Sequence, residues 1–176
     1  IEEAVRILRQ RAQKKGSVKE NRLSYDHLEF APQWQYTSPE IGCHYANGVI
    51  RQKLWFSCPS GNATGEDISR LEPILERVIT EGGFEGKEYV RIIDYSQIAK
   101  TSFSTREQYA GLIKKLNRRF NCQPAMTYIC GANPFVKASL LVFTKFLNQN
   151  FIFLDSVSQA FEAAEEADDS ALPQKE

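Results

Sequence analysis

The chain is poor in the residues that most often do chemistry. It has two histidines, four cysteines and one methionine in 176 residues, and no net charge, since 22 Lys and Arg face 22 Asp and Glu. Each scarcity excludes something. Zero net charge argues against the basic surface of a generic nucleic-acid binder. No apolar run approaches the ~20 residues of a membrane span. The most apolar stretch, Phe135 to Leu147, is shorter and is broken by Lys137, Ser139, Thr144 and Lys145. No secretory core follows Ile1, so the expectation is a cytoplasmic segment cut from a longer protein. Cys43, Cys58, Cys122 and Cys130 are too few and too far apart for a disulfide scaffold, and none forms the close pair of a structural zinc site. The reading is therefore reduced thiols, no metal and no cofactor. His27 and His44 are the sole side chains suited to base chemistry at neutral pH, and both lie far from the serine-rich stretch near residue 100. No carboxylate pair stands out as acid and base. The glycines at 82, 83 and 86 fail as a phosphate loop, because they lead from helix to strand and Glu88 stands where Ser or Thr is needed. Catalysis by this segment is not expected.

What is present is an ordinary globular composition, 42% hydrophobic and 25% charged. The charge is segregated. Residues 1–22 carry seven basic groups against three acids, and residues 155–176 carry seven acids against Lys175 alone. Ile1, Ala4, Val5, Leu8 and Ala12 recur at helical spacing, so residues 1–22 read as a connector helix. Residues 23–167 read as one α/β domain and 168–176 as a polar linker.

Within the domain, 23–30 reads as a strand. Asn47-Gly48 is a strong hairpin-turn signal between arms at 43–45 and 49–56. Trp34, Tyr36, Trp55 and Phe56 read as core or interface aromatics. Thr64 with Asp67 resembles a capping box, and Ile68, Leu71, Leu75 and Ile79 lie on one face of the helix that follows. Pro73 predicts a kink or a late start in that helix. Strands at 89–94, 125–130 and 151–154 then alternate with helices at 104–120, from Pro134, and at 160–167. The helix from Pro134 is apolar on most sides and is expected to be deeply packed. This alternation implies a mixed, mostly parallel sheet with an N-terminal antiparallel hairpin and helices packed on it.

In open α/β sheets ligands favour the carboxyl ends of the strands. Those ends are Asp94-Tyr95-Ser96, Gly131-Ala132-Asn133 and Asp155-Ser156, and three helices start beside them. Ser104, with Glu107 three residues on, and Asn133 read as helix caps. The same residues, with Arg106 in the first turn, could receive an anion. The candidate binding residues are Asp94, Ser96, Ser102, Ser104, Arg106 and Asn133.

The stretch Val90-Arg91-Ile92-Ile93-Asp94-Tyr95-Ser96-Gln97-Ile98, the later Tyr128-Ile129-Cys130-Gly131, and Phe153-Leu154-Asp155-Ser156 with Ala160-Phe161 resemble, in type and order, the STAS domains of anti-sigma factor antagonists and sulphate-transporter tails. The resemblance covers residues 40–166. Its detail around Asp94-Tyr95-Ser96 and Ser104-Thr105-Arg106 is similar to STAS-like regulatory domains found ahead of PAS and histidine-kinase modules in bacterial signalling proteins. It implies a STAS-type fold and a non-catalytic regulatory or sensory role in two-component signal transduction, with a sensor histidine kinase as the expected setting. Implied partners are other domains of the same chain, a second copy, or a small anionic or apolar ligand. An antagonist-like phospho-switch and a lipid-binding domain stay open. The chain departs from the family at the loop that is phosphorylated in antagonists. Ser104 falls at the serine's position, but Ser102 replaces the aspartate and the Gly-Leu-Gly is absent. Ser104 is the candidate phosphorylation site.

Overall fold

The computed structural model describes residues 23–38, 42–147 and 150–171. The expected connector helix at 1–22 lies outside them, as do residues 172–176 of the expected linker. The strands are β1 (Tyr36–Thr37), β2 (His44–Ile50), β3 (Leu54–Ala63), β4 (Glu88–Asp94), β5 (Gln97–Thr101), β6 (Gln123–Cys130) and β7 (Phe151–Leu154). The helices are α1 (Gly65–Gly82), α2 (Phe103–Arg119), α3 (Pro134–Leu147) and α4 (Val157–Ala171). One sheet runs in the order β1-β2-β3-β4-β6-β7. Its first two pairings are antiparallel and the rest parallel, which is the mixed α/β architecture expected from the sequence.

Both faces of the sheet are covered. Trp55, Ile129 and their neighbours face α1, α2 and α3. Leu54, Phe56, Ile92 and Tyr128 face α4 and the turn at Tyr25–His27. Burial on both sides explains why the central strands read as near-continuous apolar runs. No helix among the described residues is long and apolar enough to cross a membrane.

The hairpin turn is not where Asn47-Gly48 would put it. Both residues sit inside β2, and the chain reverses at Arg51–Lys53, where Gln52 takes a φ of 63°. The reason is tertiary. Asn47 is fully buried. Its amide donates to the Trp34 carbonyl at 2.7 Å, and its Oδ1 accepts from Trp55 Nε1 at 3.0 Å and from the Ser57 hydroxyl at 3.2 Å. Its backbone exchanges two further bonds with the Gln35 side chain. Gly48 is small because the Phe30 ring passes 2.8 Å from where a Cβ would stand. A turn signal has been spent on packing.

Residues 23–30 also differ from expectation. They form a short 3-10 turn and a single bridge, Glu29 to Val49, in place of a strand. Between the strand read at 89–94 and the helix read from 104, the chain forms β5, which pairs with β3 beyond the point where β4 leaves it. α1 runs uninterrupted through Pro73, which lies on its exposed side. There the missing N–H leaves a carbonyl that water can satisfy. α4 continues past residue 167 to Ala171, and Lys53 pairs with its Asp168 at 2.8 Å.

The Thr64 cap behaves as read. Its hydroxyl accepts from the Asp67 N–H, and Asp67 Oδ2 accepts from the Thr64 N–H and hydroxyl. Tyr36 donates to the other oxygen of Asp67 at 2.7 Å, tying β1 to α1. Burial alone would raise the Asp67 pKa, but the hydrogen bonds from Thr64, Tyr36 and Ser38 outweigh it and hold the carboxyl at about 2.

Two outcomes are expected. Asn47→Ala strands several buried polar groups and should cost roughly 2–3 kcal/mol in urea unfolding. An unchanged midpoint would show that the network is dispensable. Asp67 titrates lower in the folded chain than its unfolded value of about 3.9, so below pH 4 the unfolded chain takes up the proton first. The stability that Asp67 gives, about 2 kcal/mol, should therefore be complete above pH 4 and lost as pH falls to 2. Asp67→Asn should flatten that part of the acid-unfolding curve.

Candidate functional site

The candidate residues lie where β4, β5 and β6 hand over to α2 and α3. β4 ends at Asp94, which is buried and accepts the Ser96 N–H on Oδ1 at 2.9 Å. Asp94 lies beside Cys130 in the β4–β6 register. Burial, then the charge of Asp94, push the Cys130 thiol up to about 12. Burial also pushes Cys43 and Cys122 up to about 11. All four cysteines are buried and none is in a disulfide, and the Cys43, Cys122 and Cys130 thiols stay protonated at neutral pH.

The strand ends are locked to one another. The Tyr95 N–H donates to the Cys130 carbonyl at 2.8 Å. Gly131 has a φ of 64°, and a Cβ there would come within 2.7 Å of the Ser96 Cβ. Glycine is thus needed both for the backbone conformation and for the close approach of the β4 and β6 turns.

β5 delivers the chain to α2. The cap of α2 is Ser102, not Ser104. The Ser102 hydroxyl accepts from the Thr105 N–H at 3.0 Å and bonds the Thr105 hydroxyl at 2.8 Å. The Ser104–Glu107 box is a coincidence of spacing, because pairing of β5 through Thr101 ends the extended chain two residues earlier than that box requires. Ser104 sits exposed on the first turn. Arg106, two residues on, points to a different side of the helix. Its Nη1 donates to the carbonyl and hydroxyl of Thr101, at 3.1 and 3.2 Å, and the Phe135 ring lies 5.6 Å away.

Asn133 caps α3 as read, with Oδ1 accepting from the Val136 N–H at 2.9 Å. Ser156 and Gln159 cap α4 reciprocally. α3 is not deeply packed. Val136 and Leu140 face inward with Ala132 and Ile129, whereas Phe135, Leu141 and Val142 are 72%, 56% and 61% exposed. Phe103 at the start of α2, next in sequence to Ser104, is also exposed, at 50%.

The fold thus brings Ser96, Asn133 and the α2 start to one end of the sheet. It sets Asp94 on the α4 side and turns Arg106 inward. With this geometry in view, the solved structures decide what the architecture is. An uncharacterized protein of the DUF3478 family from Shewanella loihica PV-4, described as having a SpoIIAA-like fold, matches with a TM-score of 0.52 and 18% identity, over 73% of this chain and 98% of its own. The fold of this chain is SpoIIAA-like. The anti-sigma factor antagonist SpoIIAA, in its unphosphorylated form, matches with a TM-score of 0.50 and 10% identity, over 69% of this chain and 96% of its own. No protein-family model matches the chain, and no curated protein does. The STAS-type architecture expected from the motifs is therefore present, at identities that carry the SpoIIAA-like fold alone.

Sequence reasoning missed β5 and a set of side chains on the α2 side of the sheet: Tyr45, Arg91, Tyr109 and Thr127. One signal was available. Arg91 lies in the middle of an apolar strand that parallel pairing buries on both faces.

The cap assignment is directly testable. Ser102→Ala should cost about 1 kcal/mol of stability, while Ser104→Ala should change it by less than about 0.5 kcal/mol. The reverse order in thermal or urea unfolding would return the cap to Ser104.

Proposed function

We propose that this chain is a non-catalytic regulatory domain that binds a partner protein at the end of the sheet where α2 and α3 begin. One observation carries the reading. Phe103, Phe135, Leu141 and Val142 are large apolar side chains exposed on α2 and α3, Phe103 next in sequence to the exposed Ser104 and Phe135 two residues after the Asn133 cap. Exposed large apolar side chains near one another mark interaction surfaces. The SpoIIAA-like fold supports the class, since SpoIIAA itself is named an anti-sigma factor antagonist. In its fullest form the reading places the domain in a bacterial signal-transduction protein, a sensor histidine kinase, with other domains of the same chain or a second copy as partner.

A phospho-switch is favoured by a specific observation. Ser102 and Ser104 are both exposed, but the Ser102 hydroxyl is engaged with the Thr105 N–H and hydroxyl as the cap, which leaves Ser104 on the first turn of α2. A phosphate there would sit at the positive end of the α2 dipole and would place negative charge next to exposed Phe103.

The test is site-specific photocrosslinking in cells. A photoreactive residue at Phe135 or Val142 should give a discrete adduct, and one at Arg77 on the exposed side of α1 should give none. An adduct of twice the chain's mass identifies a second copy as the partner. Equal labelling at all three positions, or none at Phe135 and Val142, would overturn the docking surface. Ser104→Asp should change the Phe135 adduct yield severalfold if the switch operates, and an unchanged yield would remove the switch.

A further inference from the structure

Between the sheet and α2 lies a cavity of about 50 Å³. Much of its wall is apolar, with Ile93, Ile129, Leu140 and Phe151 among the contributors. Set into that wall are two arginines. Arg91, from β4, is 2% exposed and Arg106, from α2, is 9% exposed. A guanidinium stays protonated even when buried. No carboxylate lines the cavity, and neither arginine is paired with an acid among the described residues.

The two charges are partly satisfied. Arg91 donates to the Tyr109 hydroxyl and lies 4.5 Å from the Trp55 ring centre. Arg106 bonds Thr101 and meets the Phe135 ring. These contacts leave three polar atoms without a partner: Arg91 Nε, Arg106 Nε and the Thr127 hydroxyl oxygen. Thr127 is the cross-strand neighbour of Arg91 in the β4–β6 register, so two of the three come from adjacent positions on one face. The Tyr95 phenol lies within electrostatic reach of both arginines. Burial and Tyr109 raise its pKa, against the opposing pull of both Arg91 and Arg106.

Two like charges sharing a cavity without a counterion are costly, and cation–π contacts offset only part of that cost. An anionic occupant removes the remainder. Its charged end must accept from two guanidinium N–H groups and a hydroxyl, and the rest of it must suit aliphatic and aromatic walls. Inorganic phosphate meets the first requirement and fails the second. At roughly 10–15 Å³ for each water-sized occupant, the space suits a few linked carbons and not a long lipid chain.

We propose that this cavity is a binding site for a short-chain aliphatic monocarboxylate, its carboxylate held by Arg91, Arg106 and Thr127 and its hydrocarbon against Ile93, Ile129 and Leu140. The site is inside the fold, on the sheet side of α2. It does not depend on the partner-docking reading.

The test uses the whole chain in calorimetric titrations with acetate, butyrate, hexanoate and inorganic phosphate at neutral pH. Butyrate or hexanoate should bind saturably at millimolar concentration, more tightly than acetate or phosphate, and should raise the melting temperature. Thr127→Val, close to isosteric, should weaken binding severalfold, and Arg106→Gln roughly tenfold or more. Arg106→Gln without acid should melt no lower than the parent, because it removes an uncompensated charge. If Arg106→Gln does not fold, Thr127→Val carries the comparison. Failure of every carboxylate to saturate, phosphate binding as tight as butyrate, or affinities unchanged in Thr127→Val would overturn the assignment.

Discussion

Arg91 puts a full positive charge into the layer between the sheet and α2, where it is only 2% exposed. The surroundings are fitted to that charge. Trp55 presents its ring from β3, Tyr109 brings a phenol down from α2, and Thr127 sits beside it on β6. Replacing the arginine with an aliphatic residue would remove the reason for each of those polar groups to be buried. The cavity lies among these groups.

A second constraint acts at the end of the sheet. β4 and β6 must both turn there, and Gly131 lets those turns touch. The contact fixes where α3 starts. β5 plays the same part for α2, holding the chain extended through Thr101 so that Ser102 becomes the cap. Arg106 then falls where its side chain can return to Thr101 and reach inward, while Ser104 is left outside. The inner arginine site and the outer serine surface are consequences of one register. A change in β5 pairing would move both.

Much of the architecture was legible. Thr64–Asp67 and Asn133 were read correctly as caps, because a cap is a local interaction between a side chain and backbone three residues away. The three parallel strands were read from their apolar runs. Asn47-Gly48 misled because its local meaning, a tight turn, competes with a use that depends on residues ten or more positions away. Ser104–Glu107 misled in the same way: a valid local pattern was displaced by β5, a strand with no apolar signature of its own. Of the candidate site residues, Ser96, Ser102, Ser104 and Asn133 are exposed, while Asp94 and Arg106 are buried, and the face that each of those two occupies was not readable.

The sequence by itself determined the order of elements, most of the helix starts and the mixed, mostly parallel sheet, since these follow from periodicity and from contacts within a few residues. Tertiary structure alone decided the position of the hairpin turn, the pairing of β5 and the cap of α2. It also decided that Phe135, Leu141 and Val142 of α3 stand exposed. Above all it brought Arg91, Arg106 and Thr127, which come from three separate elements, to one cavity. Their convergence depends on strand register and on how α2 lies across the sheet, and no local pattern encodes either.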